Sequence, residues 1–152
     1  MAADAFRFGF CVKRDTASAM ADENVEIVRR STEAYSRGAL DEALESWAHD
    51  AVLDWSNSRG LEAAVIRGRD EIRAYMERFL ETFEEVRIDL EEILEVDEGV
   101  VIAENLAHTR GRDGIEATAR SAWLITLRNG RQTSLTLYQS KAEALEAAGL
   151  SE

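Results

Sequence analysis

Between Asp70 and Val96 the apolar residues change their period, and that change limits the chain to folds in which a helix feeds directly into a sheet. Ile72, Tyr75, Met76, Phe79, Leu80 and Phe83 recur at i, i+3, i+4, i+7, i+8 and i+11. This is the apolar stripe of an amphipathic helix, opened by Asp70, with Arg69, Arg73, Glu77, Arg78 and Glu81 on its wet side. From Val86 the period becomes two. Val86, Ile88, Leu90, Leu94 and Val96 alternate with Arg87, Asp89, Glu91 and Glu95, as on a half-buried strand. Glu92 and Ile93 break the parity, which predicts a bulge.

Tight turns punctuate the C-terminal third of the chain. Asp97-Glu98-Gly99 and Gly111-Arg112-Asp113-Gly114 bound strands predicted over 100–110 and 115–128. Asn129-Gly130 readily takes the positive φ angles of a two-residue hairpin turn, so 132–139 returns as the last strand. Lys141 to Ala148 reads as a short terminal helix ended by Gly149. Upstream, Val25, Val28, Thr32 and Tyr35 share one face of a helix capped by Asp22 and stopped by Gly38. Asp41 caps a second, short helix whose inner face is Leu40, Ala43, Leu44 and Trp47. Ala51 to Ser56 is β-branched and aromatic and reads as a strand, and Val65-Ile66 as a brief second one.

A meander of late strands needs one face covered, and three helices gathered early in the chain can cover it. The predicted class is α+β: a cone-shaped α+β barrel, three N-terminal helices packed on a strongly bent, mostly antiparallel sheet. Such a sheet wrapped round its helices leaves a conical cavity. The domain is expected over residues 21–150.

Composition narrows the partners. The net charge is −12, which argues against nucleic acid and against anionic membrane surfaces. The single cysteine, Cys11, permits neither an internal disulfide nor a thiolate metal cluster and fits a reducing, cytoplasmic setting. The sequence contains no apolar run of the roughly 18 residues that a membrane span needs. The N-terminal apolar stretch is broken by Arg7 and followed by Lys13-Arg14, the reverse of a secretory signal. Residues 1–20 are therefore expected to be a poorly ordered extension, with Met20 a candidate start. The two histidines lie on separate elements without paired spacing to a carboxylate, so no metal site and no cofactor is expected.

Three stretches carry a family resemblance. VEIVRRSTEAYSRGALDEALESWAHDAVLDWSNSRG resembles the opening of SnoaL-like, polyketide-cyclase-type proteins of the nuclear-transport-factor-two-like superfamily. VIRGRDEIRAYMERFLETFEEVRIDLEEILEV resembles their third helix and following strand, and LITLRNGRQTSLTLYQSKAEALEAAGL their closing hairpin and terminal helix. The resemblance implies a homodimer, with Tyr138 on the outer face of the sheet where it could join the contact. It implies a pocket protein, either a cofactor-independent cyclase, isomerase or hydrolase or a non-catalytic binder of a small hydrophobic molecule, with a dimerisation module as a third reading. The isomerase pattern itself is not matched: its base falls on Trp55, its tyrosine donor near Ser31 and its acidic donor near Leu124.

Proton transfer from carbon needs a carboxylate or imidazole close to the substrate. Asp54, in an Asp-x-Ser feature with Ser56, is the candidate base, although an Asp and a Ser on one strand face can equally satisfy loop backbone. His108 is the second candidate. It shares strand parity with Glu104, and Asn105 takes the opposite face, so only one of His108 and Asn105 can enter the cone. Trp55, Tyr75, Phe79 and Trp123 are the expected apolar wall, with Asn105 the alternative polar group.

Overall fold

A computed structural model describes the backbone of residues 11–58 and 63–150, and the side chains from Asp22 onward within those ranges. The elements, in chain order, are α1 (Cys11–Ser36), α2 (Leu40–Leu44), β1 (Trp47–Asp54), β2 (Val65–Arg67), α3 (Arg69–Thr82), β3 (Phe83–Asp97), β4 (Val100–Gly111), β5 (Glu116–Arg128), β6 (Arg131–Tyr138) and α4 (Lys141–Ala147). Of the extension expected over 1–20, residues 1–10 lie outside the described residues and 11–20 form the first turns of α1.

Helix α1 runs straight through Asp22, its expected cap, because the stretch 11–36 contains neither glycine nor proline to stop it. It ends where Gly38 takes φ +78. Ala39 N–H then reaches Ala34 O at 2.9 Å and Gly38 N–H reaches Tyr35 O at 2.9 Å, the paired bonds of a Schellman ending. Helix α2 starts at Leu40 from Ala39, so Asp41 sits inside its first turn rather than capping it, and its carboxylate pairs with Arg73 of α3. Trp47 is not helical as expected; it opens β1, since α2 stops after one turn. Its burial demand is met either way, and it is 2% exposed.

Six strands form one sheet in the order β2-β1-β6-β5-β4-β3. Every neighbouring pair is antiparallel except β1 with β6, which runs parallel with Leu53 opposite Leu135. The Asn129-Gly130 turn has φ +54 and +78, both positive as a tight hairpin requires. At the β3–β4 turn, Gly99 approaches the backbone so closely that a Cβ would lie 2.6 Å from Leu127 O. The β3 register shifts between Leu90 and Glu92, one residue from the predicted break. Before the shift Val86, Ile88 and Leu90 oppose Thr109, Ala107 and Asn105; after it Ile93 opposes Ala103. The bulge thus keeps apolar residues on the inner face while the strand bends.

Helices α1 and α3 lie against the inner face, where Val28, Trp47, Ile72, Tyr75, Val101, Trp123 and Ile125 make the main core. Fully burying each such side chain stabilises the fold by roughly 1.5–3 kcal/mol. Helix α4 covers part of the outer face. It is capped by Ser140, whose side chain accepts from Glu143 N–H, and it buries Ala144 against Ile102 and Ala122 with Leu124 and Tyr138 alongside. No helix among the described residues is long and apolar enough to cross a membrane.

Candidate functional site

The inner face of the sheet and the facing sides of α1 and α3 enclose a cavity of about 540 Å3. That volume lies in the usual range for small-molecule sites. Its wall is aromatic. Tyr75, Phe79 and Phe83 follow one another at four-residue steps along α3 and its exit, and Phe79 and Phe83 pack with ring centroids 5.1 Å apart. Trp47 and Trp55 enter from the two ends of β1, and Trp123 from β5. Trp55 and Trp123 meet at 6.3 Å with their planes inclined by 50°. All three tryptophans of the chain therefore line the same space.

Polar side chains are a minority of the lining, and several are tied to the protein itself. Trp47 Nε1–H donates to Ser31 Oγ at 3.3 Å, and Ser31 donates to Ala43 O at 2.7 Å. Thr32 donates to Val28 O at 2.9 Å. Asn105 accepts from Ser121 Oγ at 3.2 Å and donates through Nδ2 to Ala103 O at 3.2 Å. Burial, and secondarily the Tyr75 phenol, push the Tyr35 hydroxyl well above the ordinary phenol range, so it stays neutral. One group stands apart: Trp123 Nε1–H is buried and has no hydrogen-bond partner among the described residues.

Trp55, Tyr75, Phe79, Asn105 and Trp123, the sequence-derived wall, all line the cavity. The two candidate catalytic residues do not. Asp54 ends β1 between Leu53 and Trp55, which both face inward, and strand alternation turns it to the other side. Its Oδ1 accepts from Ser56 N–H at 3.0 Å and Ser56 Oγ at 2.6 Å, an Asx-type turn that closes the strand. His108 lies on the outer face of β4 and contacts Asp89 Oδ2 through Nε2 at 2.9 Å. The Arg87 side chain, and then His108, hold the Asp89 carboxyl below its usual range. The pair is a cross-strand surface cluster.

Many lining residues are not marked as site residues by the sequence, Tyr35 and Ser121 among them. Tyr35 shares a helical face with Val28 and Thr32, and Ser121 shares the parity of Trp123; these signals point equally to core and to strand. Among the described residues no aspartate, glutamate, histidine or cysteine lines the cavity, and the one charged lining residue is Arg120, which is exposed and paired with Glu91. Nor do the described residues hold a cluster of three or more histidine, cysteine, aspartate or glutamate side chains able to bind a metal.

The sequence matches the profile of the SnoaL-like domain over residues 28–135. No protein of curated function matches it. Among solved structures, Bal32a from a soil-derived mobile gene cassette superposes with a TM-score of 0.72 at 22% identity, over 84% of this chain and 97% of that one. The Δ5-3-ketosteroid isomerase of Mycobacterium sp. gives 0.67 at 17% identity, over 78% of this chain and 93% of that one. A Mycobacterium tuberculosis protein in complex with estradiol-17beta-hemisuccinate gives 0.68 at 13% identity, over 78% and 95%. At these identities the likeness is one of fold.

Proposed function

This chain belongs to the SnoaL-like family, and from that premise we propose that its cone binds a small, neutral, largely apolar molecule without transforming it by acid–base chemistry. The observation that carries the reading is the wall: an aromatic cavity of about 540 Å3 in which no described residue is a carboxylate, an imidazole or a thiol. Cyclase, isomerase or hydrolase chemistry by proton transfer needs a base within hydrogen-bond reach of the substrate. Asp54 and His108, the candidates for that role, are engaged with Ser56 and Asp89 outside the cavity. A cavity of this size also argues against a domain whose pocket is filled and whose purpose is dimerisation alone.

A charged ligand would lose hydration without gaining a counterion in the wall, whereas fused or stacked rings match the tilted tryptophan pair. The steroid conjugate bound by the Mycobacterium tuberculosis protein of like fold supports a polycyclic class. The test is calorimetric titration with fluorenone, a neutral tricyclic ketone, between about pH 5 and pH 9, the span over which histidine and perturbed carboxylates change charge. Saturable binding with an affinity flat across that span is expected. No binding, or an affinity that follows a titration curve, would overturn the reading.

A further inference from the structure

We propose that the free edge of β5, at the mouth of the cone, takes residues 6–10 of a second copy of this chain as an added strand. Strands β5 and β6 are paired from Ala122 opposite Tyr138 to Arg128 opposite Arg131. On its other side β5 stays paired with β4 as far as Glu116 opposite Arg110. Residues 116–121 thus run past the end of β6 with one edge uncovered, and among the described residues no backbone hydrogen bond reaches that edge. Glu116, Ala117, Thr118, Ala119 and Arg120 are all exposed, although their side chains alternate between the two faces. An open strand edge is a template for another strand, and proteins guard such edges with charge, proline or cover. Here charge stands at the two ends, Glu116 and Arg120, with Ala117-Thr118-Ala119 between them.

The same stretch is the open side of the cone. Where the two strands pair, β6 sets Leu135 beside Ile125 and Leu137 beside Trp123, and the inner face is filled. Beside Ala119 and Ala117 it sets nothing, and their partners on β4 are the small Ala107 and Thr109. Ala107, Thr109, Ala117 and Ala119 all line the cavity together with Phe79 and Phe83. A strand added here continues β6, and its inward side chains enter a space that lacks bulk.

Phe6-Arg7-Phe8-Gly9-Phe10, which lies outside the described residues, has the period of a strand with one apolar face. Three phenylalanines on one side suit an aromatic wall, and five residues match the five exposed positions of the edge. Arg7 then falls on the outer face, where Glu116, with 74% of its side chain exposed, offers a counter-charge. The segment comes from another copy. Ser36, at the end of α1, accepts from Ile88 N–H, and Asn24 donates to Glu95, so α1 leads back along β3 away from Phe83 and the mouth. With 26 residues α1 is about 39 Å long. Phe6 lies at most about 18 Å from Cys11, too little to return over that length. An extended segment on a free edge gains main-chain hydrogen bonds, and alternate side chains in pockets give it specificity. The partner copy thereby supplies residues to the wall of the cone.

The experiment is hydrogen–deuterium exchange of the full chain at about 2 µM and about 200 µM, read at residues 116–121, with sedimentation at both concentrations. The wild type is expected to associate at the higher concentration and to slow exchange across 116–121 roughly ten-fold. The combined variant Phe6→Ser, Phe8→Ser, Phe10→Ser, folded by circular dichroism, should lose both the slowing and the association that accompanies it. Exchange at 116–121 that is the same at both concentrations in the wild type would overturn the proposal without recourse to any variant. Slowing that survives the triple substitution would overturn it too, as would association that leaves 116–121 unprotected, because the contact would then lie elsewhere.

Discussion

Ser121 donates its hydroxyl hydrogen to Asn105 Oδ1 across the β4–β5 pair at 3.2 Å, and both residues are buried on the inner face. Asn105 is 0% exposed, so no bulk solvent replaces a lost partner. Ser121→Ala is therefore expected to destabilise the fold by roughly 1–3 kcal/mol, the cost of leaving a buried acceptor unmet. Chemical denaturation of the two proteins measures it. A change within error of zero would mean that Asn105 is held by something other than Ser121.

Tyr35 gives a prediction at alkaline pH. Its folded-state phenol pKa is raised by burial, so its contribution to stability is fully present below the unfolded value of about 10. Above that value the unfolded chain releases the proton while the folded one keeps it, and stability falls as pH rises. Denaturation measured at about pH 9 and about pH 11 should show a larger loss in the wild type than in Tyr35→Phe. Equal losses would place Tyr35 in a solvated setting.

Asp54 and His108 are expected to be dispensable for occupancy of the cone. Asp54→Ala removes the turn bonds to Ser56 and should cost about 1 kcal/mol of stability. Asp54→Asn keeps an accepting oxygen and should cost less. Neither substitution, nor His108→Gln, should alter fluorenone affinity. A large loss of binding in either Asp54→Asn or His108→Gln would return that residue to the site.

The order of elements was legible because each boundary carries a local signal. The period switch at Phe83–Val86, the glycines at 38, 99 and 149 and the Asn129-Gly130 turn all act over a few residues. The aromatic wall was legible for the same reason, since Tyr75 and Phe79 follow helical spacing and Trp123 follows strand parity. Pairings between distant segments were not. Nothing local in Ala51 to Asp54 announces that β1 runs parallel to β6, more than eighty residues downstream in the register Leu53 to Leu135. The inward face of β4 was equally hidden, because both of its faces are mixed. Asn105 and Thr109 face the cone and resemble a solvent face, while Ile102 faces outward and is covered by α4. Alternation places Asn105 and His108 on opposite sides but does not say which side is in. The turn at Asp54 was also ambiguous, since an Asx turn and a candidate base share one residue pattern.

The central claim is that ligand occupies the cone itself. Ala107 lines it from β4, opposite Ala119, and a tryptophan there would fill much of the space between the sheet and α3. The most direct measurement is fluorenone titration of the wild type and of Ala107→Trp, with circular dichroism to establish that both are folded. The account predicts saturable binding by the wild type and none by the folded, plugged variant. Equal affinity in the two proteins would contradict it, because the ligand would then sit somewhere other than the cone.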